Sequence, residues 1–125
     1  MNELKILVVD DMPIVRSGTT LLLESLGYKV DEAASGVEAI ELYKTGHYAA
    51  IIMDYNMPEM NGFECTAVIR ELEKDAKIRI PIICMSASND DEEMNAACLA
   101  ANLDDYLNKD CSGVEVQDIL SKWLR

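Results

Sequence analysis

The sequence has few bases for its length. Lysine and arginine together number 11 against 23 acidic residues, which gives a formal net charge of -12 at pH 7. A surface of this sign repels nucleic-acid phosphates and anionic lipid head groups, so we expect no direct nucleic-acid partner and no binding to membrane surfaces. A basic protein partner or a bound cation is compatible with it.

Long apolar runs and paired cysteine motifs are also missing. No run approaches the roughly 20 apolar residues of a membrane span, and the first residues, with Glu3 before a strand-like run, are not typical of a signal peptide. We therefore expect a cytoplasmic protein without membrane insertion. The four cysteines include no C-x-x-C pair, which argues against a zinc or dithiol site. We expect reduced packing thiols at Cys84 and Cys98, while Cys111 is a candidate reactive thiol in a loop.

What the chain does have is a regular alternation of apolar runs and helical patterns. Its 125 residues, half of them hydrophobic, fit one domain over residues 1–125 with a single core. Five strand–helix units are predicted, which is typical of an α/β fold with a doubly wound, five-stranded parallel sheet between helices. The expected strands are 4–9, 28–31, 49–53, 82–85 and 103–107, with the second strand the less buried one.

Local signals place the helices. Proline suits a first helical turn, S-x-x-E is a capping box, and glycine or asparagine ends a helix. We expect the first helix to turn Val15, Leu22 and Leu26 inward, with Gly18 packing closely between them. On the third helix we expect an inner face that includes Leu72, and we expect a solvated connector at 74–79. The first helix is predicted between Pro13 and Gly27, and the second from Ser35–Glu38 to Gly46. The third runs from 62 to about 74, the fourth from the 88–93 signal to Asn102, and the fifth begins at Ser112–Glu115.

Polar residues follow four of the predicted strands. Asp10 and Asp11 follow the first, Asp54 follows the third, Ser86 ends the fourth, and Lys109 lies just after the fifth. Each taken alone has a plain structural explanation as a cap, a turn residue or a solvated lysine. Ligands bind outside the carboxyl ends of the strands in open parallel sheets. If these strands are neighbours, the five side chains meet in one cleft.

Clustered carboxylates have a definite chemistry. Two charges about 4 Å apart repel by about 4 kcal/mol at an effective dielectric of 20, so the cluster either keeps a proton or binds a cation. Oxygen ligands with room for water suit Mg2+. Asp54 can then act as a nucleophile that forms an acyl phosphate. Mg2+ and Lys109 neutralise the phosphoryl oxygens, and Ser86 donates a hydrogen bond to one of them.

From residue 4 to about residue 123 the sequence resembles the receiver domain of two-component response regulators. Residues 6–11 resemble the family's first strand and acidic pair, and residues 54–62, DYNMPEMNG, match its D-x-x-M-P-x-M-x-G motif. Ser86-Ala87 matches the Ser/Thr-Ala switch, and residues 105–109 match its aromatic residue and lysine. The sequence around the central motif is similar to that of receivers in hybrid sensor kinases, and the chain is also similar to stand-alone chemotaxis-type receivers.

The resemblance implies the flavodoxin-like strand order 2-1-3-4-5 with five helices. It implies that Asp54 accepts phosphate from a histidine kinase or a histidine phosphotransfer protein. Asp11, Asp54 and the Asn56 backbone carbonyl would bind Mg2+ directly, with Asp10 acting partly through water.

Signal output is implied in the same way. Ser86 and Tyr106 would form the switch, and the fourth helix, fifth strand and fifth helix would contact an unidentified downstream protein. The domain would be a phosphoacceptor rather than an enzyme, although it can catalyse its own phosphorylation and dephosphorylation. It would act as a stand-alone receiver, a phosphorelay intermediate or a piece of a larger protein.

One departure from the family pattern affects the loop after the fifth strand. Receivers usually have Lys-Pro there, often with a cis peptide, whereas Lys109 is followed by Asp110. A non-proline cis bond costs about 2.5–4 kcal/mol, so we expect a trans peptide and an altered loop.

Three alternatives remain open from the sequence. A phosphohydrolase of the haloacid dehalogenase type uses similar residues, but its nucleophile belongs to an early D-x-D motif, and here the motif is Asp54-Tyr55-Asn56. A flavodoxin-like FMN module would place phosphate beside Asp10 and Asp11, which repel it. A receiver that serves only as a docking module, without phosphorylation, is the third alternative.

Overall fold

A computed structural model describes residues 4–74, 76, 78–87 and 90–124. In these residues five strands alternate with five helices, and all strand pairs are parallel in the order β2-β1-β3-β4-β5. The doubly wound sheet and the order implied by the resemblance are therefore confirmed. The elements are β1 (Lys5–Val9), α1 (Pro13–Ser25), β2 (Lys29–Ala33), α2 (Gly36–Thr45), β3 (Ala50–Asp54), α3 (Gly62–Glu73), β4 (Ile82–Ser86), α4 (Asp91–Ala100), β5 (Asp105–Asn108) and α5 (Gly113–Trp123).

Two apolar layers cover the sheet because successive strand residues point to opposite faces. β3 and β4 are buried along their whole length, whereas the edge strands β2 and β5 are partly exposed, as expected for β2. One layer joins the sheet to α2, α3 and α4; its buried members include Leu7, Ile51, Ala39, Ile69 and Cys98. The other joins it to α1 and α5; its buried members include Ile6, Ile52, Leu23, Val116 and Leu120.

Most strand boundaries differ from prediction by one or two residues, and hydrogen bonding explains the later starts of β2 and β5. β2 starts after Tyr28, whose N–H closes the end of α1 by donating to Leu23, and it then pairs with all five residues of β1. β5 starts at Asp105, because Leu103 donates its N–H to the Cys98 carbonyl and so still belongs to the end of α4.

The predicted inner faces of α1 and α3 are partly wrong. On α1, Leu22 and Leu26 are half-buried and pack against the apolar layer as predicted, but the fully buried residues are Thr20 and Leu23. Gly18 is exposed, and a Cβ added there would meet nothing within 4 Å, so the predicted close packing at this glycine is wrong. On α3, Leu72 is 38% exposed while Glu73 is buried. The reason is an ionic network around Arg70 that holds Glu73 inside.

This network ties together the loops at the amino ends of β4 and β5. Arg70 contacts Glu73 and Asp104, both at 2.7 Å, and the three side chains are at most 10% exposed. Glu73 and Asp104 also accept the backbone N–H groups of Ile80 at 2.6 Å and Ile82 at 2.8 Å. The described residues of the connector at 74–79 are exposed, as predicted, and they border this buried cluster. Residues 75 and 77 lie outside the described ones.

Helix caps follow the sequence signals closely. Ser112 and Glu115 form the predicted capping box, the Ser35 side chain accepts the Glu38 N–H, and Asn102 adopts a left-handed φ of 70°. A further capping box, Asn61 with Glu64, was not predicted. Asp90 caps α4, whereas Ser88 and Asn89 of the predicted 88–93 signal lie outside the described residues. No cis peptide occurs in the described residues, which confirms the trans bond after Lys109.

The helices differ in how firmly they are anchored. α3 buries five side chains or glycines, whereas α4 buries Cys98 alone.

All four cysteines are free thiols. Burial, ahead of the charge of Glu115, raises the pKa of the Cys111 thiol, which works against thiolate reactivity there. No helix in the described part of the chain is long and apolar enough to cross a membrane.

Candidate functional site

The carboxyl ends of β1, β3, β4 and β5 meet at one edge of the sheet. β1 pairs with β3, β3 with β4 and β4 with β5, and in that last pair Ser86 is opposite Asn108. Asp10 and Lys109 each come one residue after their strand, while Asp54 and Ser86 are the last residues of theirs. The adjacency on which the predicted cleft depends is therefore present.

Three carboxylates and one ammonium form the centre of this cleft. Asp10, Asp11 and Asp54 each offer a carboxylate oxygen, and these atoms lie within 4.8 Å of one another. Asp10 and Asp54 are 3% and 2% exposed, whereas Asp11 is half-buried. The Nζ atom of Lys109 lies 2.9 Å from Oδ1 of Asp54 and 3.7 Å from Oδ2 of Asp10.

Burial and charge perturb both members of the central ion pair. Burial, partly opposed by the Lys109 contact and reinforced by the charge of Asp10, raises the pKa of Asp54 to about 6. Burial alone would lower the pKa of Lys109, but Asp54, Asp10 and Asp11 outweigh it, so that pKa is raised. At neutral pH the pair is therefore mostly a carboxylate facing an ammonium.

The donor set fits a small hard cation. Lys109 and the Asn56 backbone N–H approach Asp54, and each acts to lower its pKa against the larger effect of burial. Neither buried oxygen of Asp54, however, accepts a hydrogen bond of standard geometry from the described residues. Buried acceptors without such donors are costly unless a further positive partner binds them. Carboxylate oxygens from three residues beside solvent are the ligands that Mg2+ prefers.

The loop after β3 is shaped by close backbone approach. A Cβ added at Gly62 would lie 2.5 Å from the carbonyl oxygen of Asp54, so only glycine fits there without a shift. Its N–H donates to the Tyr55 carbonyl at 2.9 Å, which closes the loop. Glu59 adopts a left-handed φ of 69°, and Asn56 is exposed at the start of the loop. The tight shape of this loop thus has a steric reason in this chain.

A second loop, between β1 and α1, carries the other two acids. Oδ1 of Asp10 accepts the Met12 N–H at 3.0 Å, and the Asp10 carbonyl accepts Nη1 of Arg16 at 2.8 Å. Arg16 also pairs with Glu32 at the end of β2, at 2.9 Å. Neither residue was predicted, because the only signal in the sequence is an arginine one turn into the helix that follows the acids.

Tyr106 connects the fifth strand to the fourth strand and the fourth helix. Its hydroxyl donates to the Ser86 carbonyl and to Oδ1 of Asp91, both at 3.2 Å. Asn108 donates to the same Asp91 oxygen at 2.9 Å. Burial, followed by the Asp91 hydrogen bond, raises the pKa of Tyr106 to about 12. Ser86 is 4% exposed, and the two residues of the predicted switch are joined by the bond from the Tyr106 hydroxyl to the Ser86 carbonyl. Asp91 is a further partner of that hydroxyl, which the sequence did not indicate.

A groove of about 500 Å3 lies beside this contact, between α4, β5 and α5. Its apolar part includes Leu107 and Ile119, and its charged lining is entirely acidic. The acids are Asp91, Glu92, Asp105, Glu115 and Asp118.

Comparisons with known proteins agree with this geometry. The family description "Response regulator receiver domain" matches residues 6–121. Hybrid signal transduction histidine kinase B of Dictyostelium discoideum is 37% identical over 129 residues, which cover 97% of this chain and 6% of that protein. The chain therefore spans a small part of such relatives.

Solved structures give the same result. The receiver domain of sensor histidine kinase PA1611 from Pseudomonas aeruginosa PAO1, with a magnesium ion coordinated in its active-site cleft, has a TM-score of 0.85 at 35% identity, covering 98% of both chains. The receiver domain of Ssk1, in complex with the Saccharomyces cerevisiae histidine phosphotransfer protein Ypd1, has a TM-score of 0.86 at 25% identity. That match covers 98% of this chain and 89% of the other.

Proposed function

Because the chain belongs to the response regulator receiver domain family, we propose that it is a Mg2+-dependent phosphoacceptor in which Asp54 takes a phosphoryl group from a phosphohistidine. The observation that carries the proposal is the contact of Lys109 Nζ with Asp54 Oδ1 at 2.9 Å inside a cluster of three carboxylates. The receiver domain is proposed to comprise residues 1–125.

The transfer is a substitution at phosphorus. An oxygen of Asp54 forms the new O–P bond while the N–P bond of the donor histidine breaks, and the imidazole leaves with the electron pair and takes up a proton. Lys109 holds a phosphoryl oxygen by charge and hydrogen bonding, and Ser86 donates to another. Asp10, Asp11, Asp54 and the Asn56 carbonyl would hold Mg2+, whose charge offsets that of the phosphoryl oxygens.

The switch is proposed to act through Ser86 and Tyr106. A phosphoryl group adds about 1.5–2 negative charges at the cleft. Movement of Ser86 toward the phosphoryl group shifts the position of the Ser86 carbonyl, which accepts a hydrogen bond from the Tyr106 hydroxyl. The same hydroxyl contacts Asp91 at the start of α4. The populations of two arrangements of the α4–β5–α5 face therefore shift.

Partners and location follow as proposals. The donor is a histidine kinase or a histidine phosphotransfer protein, in keeping with the Ypd1 complex of the Ssk1 receiver. The downstream partner is a protein that presents basic residues to the acidic groove. Four free thiols are compatible with a reducing compartment, so we propose a cytoplasmic location. The domain works as a switch that promotes its own phosphorylation and dephosphorylation, and it does not turn over external substrates.

The direct test is incubation with acetyl phosphate and Mg2+, followed by intact mass measurement. We expect one added phosphoryl group, which does not form when Mg2+ is chelated beforehand or when Asp54 is replaced in Asp54→Asn. Glu71→Gln is the matched control, since it also replaces a carboxylate by an amide but at a side chain 71% exposed.

Each alternative has its own outcome. Continuous release of phosphate from a phosphomonoester at a rate that depends on Asp54 would indicate a phosphohydrolase instead. A yellow protein with bound flavin would indicate an FMN module. No mass increase with any small phosphodonor or phosphohistidine protein would indicate a docking module and would contradict the proposal.

A further inference from the structure

Arg16 contacts the acidic loop without neutralising its carboxylates. Nη1 donates to the backbone carbonyl of Asp10 at 2.8 Å, and Nε donates to Oε1 of Glu32 at 2.9 Å. The Arg16 side chain is 18% exposed. A planar guanidinium presents donors in a fixed fork, so two acceptors determine both its position and its orientation.

The two contacts connect β2 to the end of β1, where the acids begin. Glu32 lies on the edge strand β2, paired in register with Val8, and the Asp10 N–H donates to Ala33 at 3.1 Å. Asp10 is thus held at its N–H by β2, at its carbonyl by Arg16, and at Oδ1 by the Met12 N–H. Oδ2 of Asp10 and the Asp11 carboxylate remain directed at the cluster with Asp54.

We propose that Arg16, held in place by Glu32, is a positioning residue for the cation site. It fixes the Asp10 carbonyl, so that the carboxylates of Asp10 and Asp11 are preorganised around Asp54. Glu32 binds the guanidinium and thereby keeps it from pairing with those carboxylates. The inference rests on the proposed function, because it assigns a role at the same site.

Positioning and simple electrostatics predict opposite signs, which makes the inference testable. As a positive charge beside the cluster, Arg16 repels Mg2+, so its removal on charge alone would tighten Mg2+ binding. If Arg16 instead orders the ligands, its removal weakens binding. Loss of groups that orient metal ligands typically lowers metal affinity by about 10-fold to 100-fold.

The experiment is a Mg2+ titration of the whole chain without phosphodonor, followed through backbone amide chemical shifts. We expect the Mg2+ dissociation constant of Arg16→Met to rise about tenfold. Arg16→Lys should weaken binding in the same direction, because an ammonium lacks the fork that reaches both acceptors. Glu32→Gln should show a smaller rise. Lys44→Met is the control; it removes a positive charge from a 52% exposed side chain near the end of α2 and should leave the constant unchanged.

A kinetic measurement separates positioning from general damage. In acetyl phosphate labelling, Arg16→Met should need more Mg2+ for half-maximal rate but should reach nearly the wild-type rate at saturation. Equal or tighter Mg2+ binding in Arg16→Met, with normal binding by the wild type, would overturn the inference and leave the proposed function intact. A wild-type chain without any Mg2+-dependent shifts would overturn both. If Arg16→Met does not fold, Arg16→Lys decides the question, because it keeps the positive charge: charge alone predicts unchanged Mg2+ binding, whereas positioning predicts weaker binding.

Discussion

Replacement of Asp104 by alanine should cost a large part of the stability of this domain without changing its chemistry. Asp104 is 7% exposed at its side chain and accepts from three groups. These are Arg70 Nη2 at 2.7 Å, the Ile82 N–H at 2.8 Å and Arg79 Nε at 3.0 Å. Its loss leaves a buried guanidinium with one acid fewer and a backbone N–H without its acceptor.

The magnitude follows from that burial. Removal of one partner from a buried ion pair typically costs about 3–5 kcal/mol, since the remaining charge stays desolvated. Domains of this size are stable by about 5–15 kcal/mol. With a urea dependence of about 1–3 kcal/mol per molar, the unfolding midpoint should fall by about 1 M or more. Arg79→Met is the matched control, because Arg79 is 54% exposed and exposed pairs contribute about 0–1 kcal/mol.

Urea unfolding followed by the fluorescence of Trp123 measures the effect. The Arg70 network lies at the amino ends of the strands, across the sheet from Asp54, so labelling of the folded Asp104→Ala protein by acetyl phosphate should match the wild type. A loss below about 1 kcal/mol would refute the reasoning. It would mean that water or a rearranged Glu73 replaces Asp104 at little cost.

Two further predictions concern the cleft itself. Gly62→Ala should lower the free energy of unfolding by about 1–3 kcal/mol and slow labelling, because its Cβ meets the Asp54 carbonyl at 2.5 Å; a change under 0.5 kcal/mol in urea would contradict this. Without Mg2+ the folded pKa of Asp54, about 6 against an ordinary 3.8, means that folding favours the protonated form. This contribution is complete below about pH 4 and is lost as the pH rises through 6. At pH 7.5 Asp54→Asn should therefore be more stable than the wild type by about 1–3 kcal/mol, and at pH 4 this gain should be absent. If the variant and the wild type were equally stable at pH 7.5 as well as at pH 4, the prediction would be contradicted.

Sequence reasoning succeeded where the information is local. A buried apolar run that ends in Asp54, a proline at the start of α1 and the S-x-x-E pattern at Ser112 each specify a local conformation, and the structure has all three. The strand order was different in kind. It came from the resemblance, because apolar runs do not show which strands are neighbours.

The residues that were missed depend on contacts between distant segments. Arg70 and Asp104 are 34 positions apart, and each alone resembles an ordinary surface charge. Leu72 is partly exposed and Glu73 is buried, the reverse of what hydrophobicity predicts. The reason is that the buried Arg70 binds Glu73 as well as Asp104. Arg16 was missed for the same reason, since it lies on α1 and its partner Glu32 lies on β2. Such pairs are determined only when the chain has folded.

The single buried side chain of α4 has a consequence for the energy of signalling. Moving this helix relative to the sheet withdraws little more than the Cys98 thiol and partly covered neighbours from the apolar layer. A complete reversal between two arrangements requires about 5.5 kcal/mol of differential interaction. Because α4 buries so little, most of that free energy can stabilise the new arrangement of the helix. Moving α3, with five buried positions, would instead spend it on exposing the core. Of these two helices, α4 can therefore move at the lower cost in buried surface, and it is the one that Tyr106 and Asp91 join to the phosphorylation cleft.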